Sequence, residues 1–331
     1  MVIKILKKLG EGGRLSADEA YLLGRSILSG ELGEVEMAAA LSAMRARGET
    51  AEEVIGFVKM ARELAVKIPL RVEAIDTAGT GGDGGRTINL STAAAIVASA
   101  AGATVLKHGN RSASGLFGSA DFMEAVGYNL DVGPEKAAAM VESLGFAFVF
   151  APRYHPAFAK AAPVRKRLPF RTVFNVVGPL ANPGGVKRQL IGVAEPQLIE
   201  LVAEAAAGLG FQKAVVVHGS GVDEVSTEGP TAVAEVNGFK IDRYTVTPVD
   251  LGAPAVKLPR AETREEAVEK TLVGLRGVDR EAAVAIAINA AFALYVAGVV
   301  KDARDGYELA VRTIEEGHAY SKLLKVVEAS R

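Results

Sequence analysis

The chain has 331 residues, of which 49% are hydrophobic and 23% charged, so it has enough apolar side chains for a sizeable core. Lysine and arginine total 38 against 39 acidic residues, and this net charge of −1 argues against a general binder of nucleic acid or membrane surfaces. The absence of cysteine excludes disulfides, zinc–thiolate sites, iron–sulfur clusters and thiol nucleophiles. The first residues are too few and too charged for a secretory signal, so we expect a cytoplasmic protein.

Two helix starts can be read in the stretch 1–70. Ser16 with Glu19 and Thr50 with Glu53 both match the capping box, in which each side chain satisfies an exposed amide of the other residue. Such pairs mark the first turn of a helix. They predict that 1–70 forms a small all-helical domain.

Helix ends and helical periodicity support the same domain. Gly30 and Gly48 stand where helices would end, because glycine adopts the left-handed conformation of a C-cap. Apolar residues recur at helical spacing in 34–47 and 53–66. We expect helices within about 156–185 to complete this domain.

From residue 71 to 331, short apolar runs alternate with helical stretches that end in glycine. The apolar runs are 72–75, 104–106, 146–150 and 214–217. This alternation predicts an α/β domain with a central, mostly parallel sheet, and a ligand cleft between the two domains. Asn237-Gly238 between two β-rich runs predicts a two-residue hairpin.

The stretch 282–300 is uncharged over a length that could cross a bilayer. It is rich in alanine, has Asn289 near its middle, and is flanked by Glu281 and Lys301. Alanine inserts poorly into membranes compared with leucine or isoleucine. We therefore expect a buried core helix and no membrane span.

A glycine-rich loop, 76–85, follows the first apolar strand of the α/β region. Glycine lets several backbone amides converge on an anion, and the polar residues 89–92 then open an apolar helix whose N-terminus also favours phosphate. The loop therefore predicts a phosphate site. A purely structural glycine turn is the alternative.

The same loop matches the dinucleotide fingerprint over 79–84, but its context argues against NAD. A nicotinamide site needs an acid about twenty residues onward to hold the ribose, and no acid occurs between Gly84 and Asp121. A P-loop is excluded because no Gly-Lys-Ser/Thr closes the loop. Neither NAD nor ATP is supported.

A second polar loop follows the next strand, over 107–115 and 118–121. It contains Lys107, Arg111 and several hydroxyl side chains, which suit a polyanion at the carboxyl end of a strand. Two such loops on adjacent strands suit a ligand with phosphates at both ends. A solvated basic loop is the alternative.

With these two loops, the sequence resembles the anthranilate phosphoribosyltransferases, which belong to the nucleoside phosphorylase-like phosphoribosyltransferases. The resemblance extends over nearly the whole chain. The matching motifs are 79–84, 89–92, 107–121, 155–156, 163–166, 171–175, 178–183, 217–219, 221–226 and 289–291. The related pyrimidine nucleoside phosphorylases have a different second loop and are the alternative, followed by a NAD-dependent dehydrogenase.

The resemblance implies a reaction, a cofactor and an assembly. Such enzymes join the amino group of anthranilate to C1 of phosphoribosyl pyrophosphate and release pyrophosphate, in tryptophan biosynthesis. They need Mg²⁺, here expected as two ions, and are homodimers. Neither nucleic acid nor a membrane is expected as a partner.

The resemblance also implies site residues by motif position. Phosphoribosyl pyrophosphate would be held by Gly79, Gly82, Asp83, Thr87, Asn89, Leu90, Ser91, Thr92, Lys107, His108, Gly109, Asn110, Arg111, Ser112, Ala113, Ser114, Gly115 and Ser119. Anthranilate would contact Gly79, Asn110 and Arg165, with the His155-Pro156 segment close by. Metal would be held by Ser91, Asp223 and Glu224. Lys107, His108 and Arg111 are the expected catalytic residues.

The chemistry of the transfer suits these residue types. Negative charge grows on the leaving pyrophosphate, so fixed cations and metal stabilise the transition state. Asp223 and Glu224 offer the oxygen ligands that Mg²⁺ prefers, although an acidic turn is the simpler interpretation of their sequence. The guanidinium of Arg165 could form a two-point pair with the carboxylate of the aromatic substrate. Its position in the sequence is equally compatible with an ordinary surface arginine.

One departure from the family lies in the second loop, where Leu116-Phe117 replaces a basic residue followed by a small one. Neither side chain can donate to an anion. We expect both to turn away from the ligand and pack against the helical domain.

Overall fold

The computed structural model describes residues 1–81, 87–112 and 117–331. Within these residues, seven strands form one sheet. The strands are β1 (Ile75–Gly79), β2 (Val105–Gly109), β3 (Phe146–Phe150), β4 (Arg188–Gly192), β5 (Lys213–Gly219), β6 (Thr231–Asn237) and β7 (Lys240–Val246). Their order is β3-β2-β1-β4-β5-β6-β7. The first five in this order are parallel, and β6 and β7 are antiparallel. The predicted fold class, a small helical part with a larger α/β part around a mostly parallel sheet, is confirmed.

The helices precede, connect and follow these strands. Before the sheet come α1 (Val2–Gly10), α2 (Ala17–Ser29), α3 (Glu34–Arg47) and α4 (Ala51–Leu64). Among the strands lie α5 (Leu90–Ala100), α6 (Ser119–Ala125), α7 (Pro134–Leu144), α8 (Ala151–Tyr154), α9 (Ala162–Arg167), α10 (Val173–Leu180) and α11 (Leu198–Gly208). After it come α12 (Arg264–Leu275), α13 (Arg280–Ala297), α14 (Ala303–Glu315) and α15 (His318–Ser330).

The helix starts follow the predicted capping boxes. In α2 the Ser16 hydroxyl accepts from the Glu19 backbone N–H at 3.3 Å, and the Ser16 N–H donates to the Glu19 carboxylate at 2.9 Å. Thr50 and Glu53 repeat both bonds at α4. Gly30 ends α2 with a φ of +81°, which is the left-handed conformation expected of a C-cap glycine.

Adjacent residues of the sheet enter two different cores, because successive side chains in a strand point to opposite faces. Val215 lies in a core with α5, α13 and α15. Val216 lies in the other core, with Phe57 of α4, Phe174 of α10 and Val202 of α11. The N-terminal helices therefore pack onto one face of the sheet, and α9 and α10 contact α3 and α4.

Two predicted boundaries are wrong by a few residues. The apolar run 72–75 is not a strand, since β1 begins only at Ile75, where pairing with β2 and β4 starts, and Val72 is exposed. The hairpin turn is Gly238-Phe239 and not Asn237-Gly238, because Asn237 still pairs with Lys240. The turn shifts by one residue so that the positive φ of +61° falls on Gly238 as the first turn residue.

The predicted core helix over 282–300 is confirmed as α13. By length and composition it could cross a membrane, but 72% of its apolar window is buried inside the protein. Asn289 satisfies its amide within this core, accepting from the Val225 N–H at 2.9 Å and donating to the Ala285 carbonyl at 2.9 Å.

Candidate active site

The turn after β1 is held against Asp223. Gly81, whose φ is +64°, donates its backbone N–H to the Asp223 carboxylate at 2.8 Å. A Cβ at Gly79 would overlap that carboxylate, and a Cβ at Gly192 of β4 would overlap the Asp223 carbonyl. The two glycines therefore let the loop after β5 approach β1 and β4 closely.

The first turn of α5 lies beside the second carboxylate. The Ser91 N–H donates to Glu224 Oε1 at 3.2 Å, and the Thr77 hydroxyl donates to the Ser91 carbonyl at 2.8 Å. Asn89 Nδ2 donates to the Gly118 carbonyl at 3.1 Å, which connects the first polar loop to the second. The adjacent acids 223 and 224 thus contact backbone amides of both the glycine loop and the helix start.

These two carboxylates suit a magnesium ion. Among the described residues no group of three or more His, Asp or Glu side chains could hold a metal, so Asp223 and Glu224 are a partial ligand set. Mg²⁺ favours such sets, because it keeps several waters and takes other oxygens from substrate phosphates. Both acids line a cavity of about 300 Å³, and Ser91 and Lys107 line it too. The residues present therefore fit Mg²⁺.

Lys107 is buried beside a carboxylate that the sequence analysis did not assign. Its Nζ donates to the Thr77 carbonyl. The neighbouring Asp76 accepts from the His108 N–H at 3.1 Å and from Asn182 Nδ2 at 2.8 Å. Burial lowers the pKa of Lys107 and raises that of Asp76, and each charge opposes the shift of the other. This cluster anchors β1 to β2 where the two polar loops leave the sheet.

Arg111 is engaged by acidic side chains of the protein. Its Nη1 donates to Asp121 at 2.9 Å and to Glu124 at 2.8 Å, and its Nη2 donates to Glu124 at 2.8 Å. These bonds lower the pKa of Glu124 to about 2, so its carboxylate is ionised at neutral pH. Arg111, which was predicted to bind a phosphate, thus lies at the cavity. Both of its terminal nitrogens already donate to carboxylates of the protein.

A row of rings leads from the cavity to Arg165. Ring centroids are 5.1 Å apart for His108 and His155, 5.5 Å for His155 and Phe158, and 5.4 Å for Phe158 and Phe174. The Arg165 guanidinium lies 5.3 Å from the centre of the Phe174 ring. Burial lowers the pKa of both histidines, that of His155 to about 4, so both are neutral at pH 7.

The structure brings most of the predicted site residues to one cavity. Those lining it are Gly79, Thr87, Asn89, Leu90, Ser91, Lys107, His108, Gly109, Asn110, Arg111, Ser112, Ser119, Asp223 and Glu224. Thr92 is buried beneath it, and Arg165 lies at the far end of the ring row, not among the described lining residues. Gly82, Asp83, Ala113, Ser114 and Gly115 lie outside the described residues.

Several lining residues were missed. Asn175, Gly178 and Pro179 of α10 line the same cavity as the two polar loops. All three belong to motifs that carry the family resemblance, but no role was predicted for them. Arg171, which precedes α10, donates to the Gly81 carbonyl and so connects this segment to the glycine loop.

The expectation that Phe117 turns away from the ligand and packs against the helical domain is wrong, because Phe117 is among the residues that line the cavity and its packing partners lie elsewhere. Phe117 is 7% exposed and packs against Ala261 and Ala267, and Ala267 belongs to α12. It does not contact the N-terminal helical core, because α12 is the element that covers the second loop. Leu116 lies outside the described residues.

The chain matches two family models in sequence order. The helical bundle domain of a glycosyl transferase family matches residues 3–65, and the a/b domain of that family matches residues 71–320. Together they cover nearly all of the chain.

Relatives and solved structures agree with this match. The chain is 76% identical to the anthranilate phosphoribosyltransferase of Pyrobaculum calidifontis, over 99% of this chain and 98% of the relative. A crystal structure of the enzyme from Thermus thermophilus is 38% identical with a TM-score of 0.94, and 99% of each chain is covered. The Saccharomyces cerevisiae enzyme in complex with PRPP and Mg is 25% identical with a TM-score of 0.90, covering 99% of this chain and 97% of that chain. The same yeast enzyme in complex with 4-fluoroanthranilate has a TM-score of 0.89 at the same identity and coverage.

Proposed function

The chain belongs to the glycosyl transferase family of the anthranilate phosphoribosyltransferases, and we propose that its cavity is the site of the reaction that gives these enzymes their name. The amino nitrogen of anthranilate forms a bond to C1 of phosphoribosyl pyrophosphate. The C1–oxygen bond to pyrophosphate breaks, and the leaving group takes the electron pair. The nitrogen loses one proton.

One observation supports this function most strongly. Asp223 and Glu224, adjacent in sequence, accept from the glycine loop and from the first turn of α5 at the same edge of the cavity. Anion-binding amides, a carboxylate pair for a cation and the ammonium of Lys107 therefore converge in one place. A Mg²⁺-bound pyrophosphate needs this combination.

In the proposal, different groups around the cavity bind different parts of phosphoribosyl pyrophosphate. The backbone amides after β1 and at the start of α5 bind and orient the phosphates, and Lys107 and Arg111 stabilise the charge of the leaving group. Bound at Asp223 and Glu224, with Ser91 as a further ligand, Mg²⁺ would neutralise pyrophosphate charge, and we propose two ions. His108 orients substrate, and no side chain is assigned as a base because the aniline nitrogen is already neutral.

We propose that anthranilate binds beside α10, between the cavity and Arg165 at the far end of the ring row. Arg165 would bind its carboxylate, and Asn110 and Gly79, which line the cavity, would lie beside its amino group. The neutral His155 and the neighbouring rings give an apolar wall suited to an aromatic acid.

We also propose a cytoplasmic homodimer whose helical domain, near residues 1–70, is completed by α9 and α10. The contacts of α9 with α3 and of α10 with α4 support this division. Size-exclusion chromatography with light scattering should give twice the chain mass of 34.4 kDa.

Pyrophosphate release tests the function. The purified chain is supplied with phosphoribosyl pyrophosphate and Mg²⁺, with and without anthranilate, and we expect release only when all three are present, at one pyrophosphate per anthranilate consumed. A parallel arm with uridine and inorganic phosphate should yield no uracil. Uracil formation without anthranilate-dependent pyrophosphate release would overturn the proposal in favour of a nucleoside phosphorylase.

A further inference from the structure

Arg111 lies at the cavity, yet acidic side chains of α6 occupy its terminal nitrogens. Glu124 accepts from Nη1 and Nη2, each at 2.8 Å, as a two-point fork, and Asp121 accepts a further bond from Nη1. Carboxylate and phosphate oxygens use the same donor geometry of a guanidinium. A phosphate that binds Arg111 in this way must compete with Glu124.

Glu124 also has a second cationic partner, which belongs to α12. Arg264, the first residue of α12, donates to Glu124 Oε2 at 3.2 Å and to the Asp121 carbonyl at 3.0 Å. Arg264 is not among the described residues that line the cavity. Glu124 therefore lies between one guanidinium at the cavity and another outside it.

The position of Arg264 is fixed by the rest of α12. Thr263 caps the helix by accepting from the Glu266 N–H at 3.1 Å. Phe117 packs against Ala267, and the Thr271 hydroxyl accepts from the Asn89 N–H at 3.3 Å. The helix that holds Arg264 thus also contacts both polar loops, so Arg264 can retain Glu124 while Arg111 changes partner.

We propose that Glu124 and Arg264 are positioning residues that set the affinity for phosphoribosyl pyrophosphate through Arg111. Glu124 competes with a substrate phosphate for Arg111, and Arg264 weakens that competition by holding Glu124 itself. This inference rests on the proposed function, since it takes phosphoribosyl pyrophosphate as the ligand.

The two variants should change the same constant in opposite directions. Glu124→Gln removes the competing charge, so the KM for phosphoribosyl pyrophosphate should fall by about two- to fivefold, the range for one exposed ion pair. Arg264→Gln removes the second partner of Glu124, so that Glu124 pairs only with Arg111 and competes more strongly with the phosphate. This KM should therefore rise by a similar factor. The KM for anthranilate and kcat should stay within about twofold in both. A purely structural role would impair both variants alike.

A matched control and a double variant isolate the effect. Arg243 and Glu200 form a similar fork, at 2.7 and 2.6 Å, with comparable exposure but away from the cavity. Glu200→Gln should leave every constant unchanged. In an Arg111→Ala background, Glu124→Gln should no longer alter the Kd for phosphoribosyl pyrophosphate with Mg²⁺, measured by calorimetry, because their coupling is lost.

Three results would overturn the inference. These are an unchanged or raised KM in Glu124→Gln, an unchanged or lowered KM in Arg264→Gln, and an unaltered Glu124→Gln effect on Kd in the Arg111→Ala background. Failure of the proposed function is distinguishable, because the unmodified chain would then consume no anthranilate at all. Thermal unfolding of each variant checks that the fold is kept.

Discussion

Arg165 is a cation with an aromatic neighbour and no acidic one among the residues that the structure describes. Its guanidinium lies over Phe174, and within that part of the chain it has no ion pair. Burial lowers its pKa, which is the cost of removing a charge from water without a counterion. An incoming carboxylate would supply that counterion, and this is the physical basis for assigning Arg165 to the acceptor.

Arg165→Ala should therefore impair anthranilate binding selectively. A charge-assisted fork contributes roughly 1.5–3 kcal/mol, so the KM for anthranilate should rise by about ten- to a hundredfold while that for phosphoribosyl pyrophosphate changes little. Steady-state kinetics with each substrate varied in turn measures both. Arg167→Ala is the control, since Arg167 is exposed and pairs with Glu34 at 3.2 Å. Equal effects of Arg165→Ala on both substrates would contradict the assignment.

The residues that could be predicted are those with a local signal. Two kinds of residue can be recognised from the local sequence. These are glycines that allow close backbone approach and acidic residues that are adjacent in a loop. Asp76 could not be recognised in this way, because its role depends on Asn182, a residue 106 positions away that the fold brings to 2.8 Å. The pairing of Arg111 with Glu124 was missed for a different reason, since a cation in a polar loop looks the same in sequence whether it binds a phosphate or a carboxylate.

Helix α12 acts as an outer cover for the two polar loops. Thr271 contacts Asn89 at the start of α5, Arg264 contacts the α6 acids, and Ala267 receives the Phe117 ring. The last contact gives Phe117, an apolar residue in the second polar loop, a packing role. Phe117, which also lines the cavity, packs against this helix and so anchors the end of the second loop.

Phe117→Ala should therefore lower the stability of the protein. Truncating a buried aromatic side chain costs about 3 kcal/mol of unfolding free energy, which guanidinium unfolding curves can measure. The matched control is Phe239→Ala, because Phe239 is 90% exposed at the hairpin turn and should lose almost nothing. Equal stability of the two variants would show that the Phe117 contact contributes little.

Elements were predicted best where their pattern alone determines them. The run 146–150 coincides with β3, and the capping boxes located the starts of α2 and α4. The start of β1 was misplaced because an apolar residue such as Val72 has the composition of a strand. Only the pairing with adjacent strands shows that β1 begins at Ile75. The contact of α12 with the second loop could not be read at all, since it joins residues far apart in the chain.

At the scale of the whole molecule, two neutral histidines are buried side by side. The pKa of His155 is lowered by burial from 6.5 to about 4, and that of His108 is lowered as well. In the unfolded chain each histidine binds a proton near pH 6.5, whereas in the folded protein it does not. Their contribution to stability is therefore present above pH 6.5 and is lost as the pH falls toward about 4.

The free energy of unfolding should fall between pH 6.5 and pH 4 by about 1.4 kcal/mol per pH unit through His155, and His108 should add to this fall. Unfolding curves of the unmodified chain and of His155→Gln across this range test the prediction. His155→Gln should show a shallower pH dependence, whatever its stability at pH 7. His318→Gln, at an exposed position, should keep the full dependence. Parallel curves for His155→Gln and the unmodified chain would refute the assignment.

The loss of anthranilate fluorescence tests the central claim most directly. The unmodified chain, supplied with phosphoribosyl pyrophosphate and Mg²⁺, should consume anthranilate, and the signal should persist without either of them. Asp223→Asn with Glu224→Gln should abolish this loss at ordinary Mg²⁺ while keeping the fold, because the leaving group then lacks its metal ion. Near-normal turnover in that double variant, or no turnover in the unmodified chain, would contradict the account.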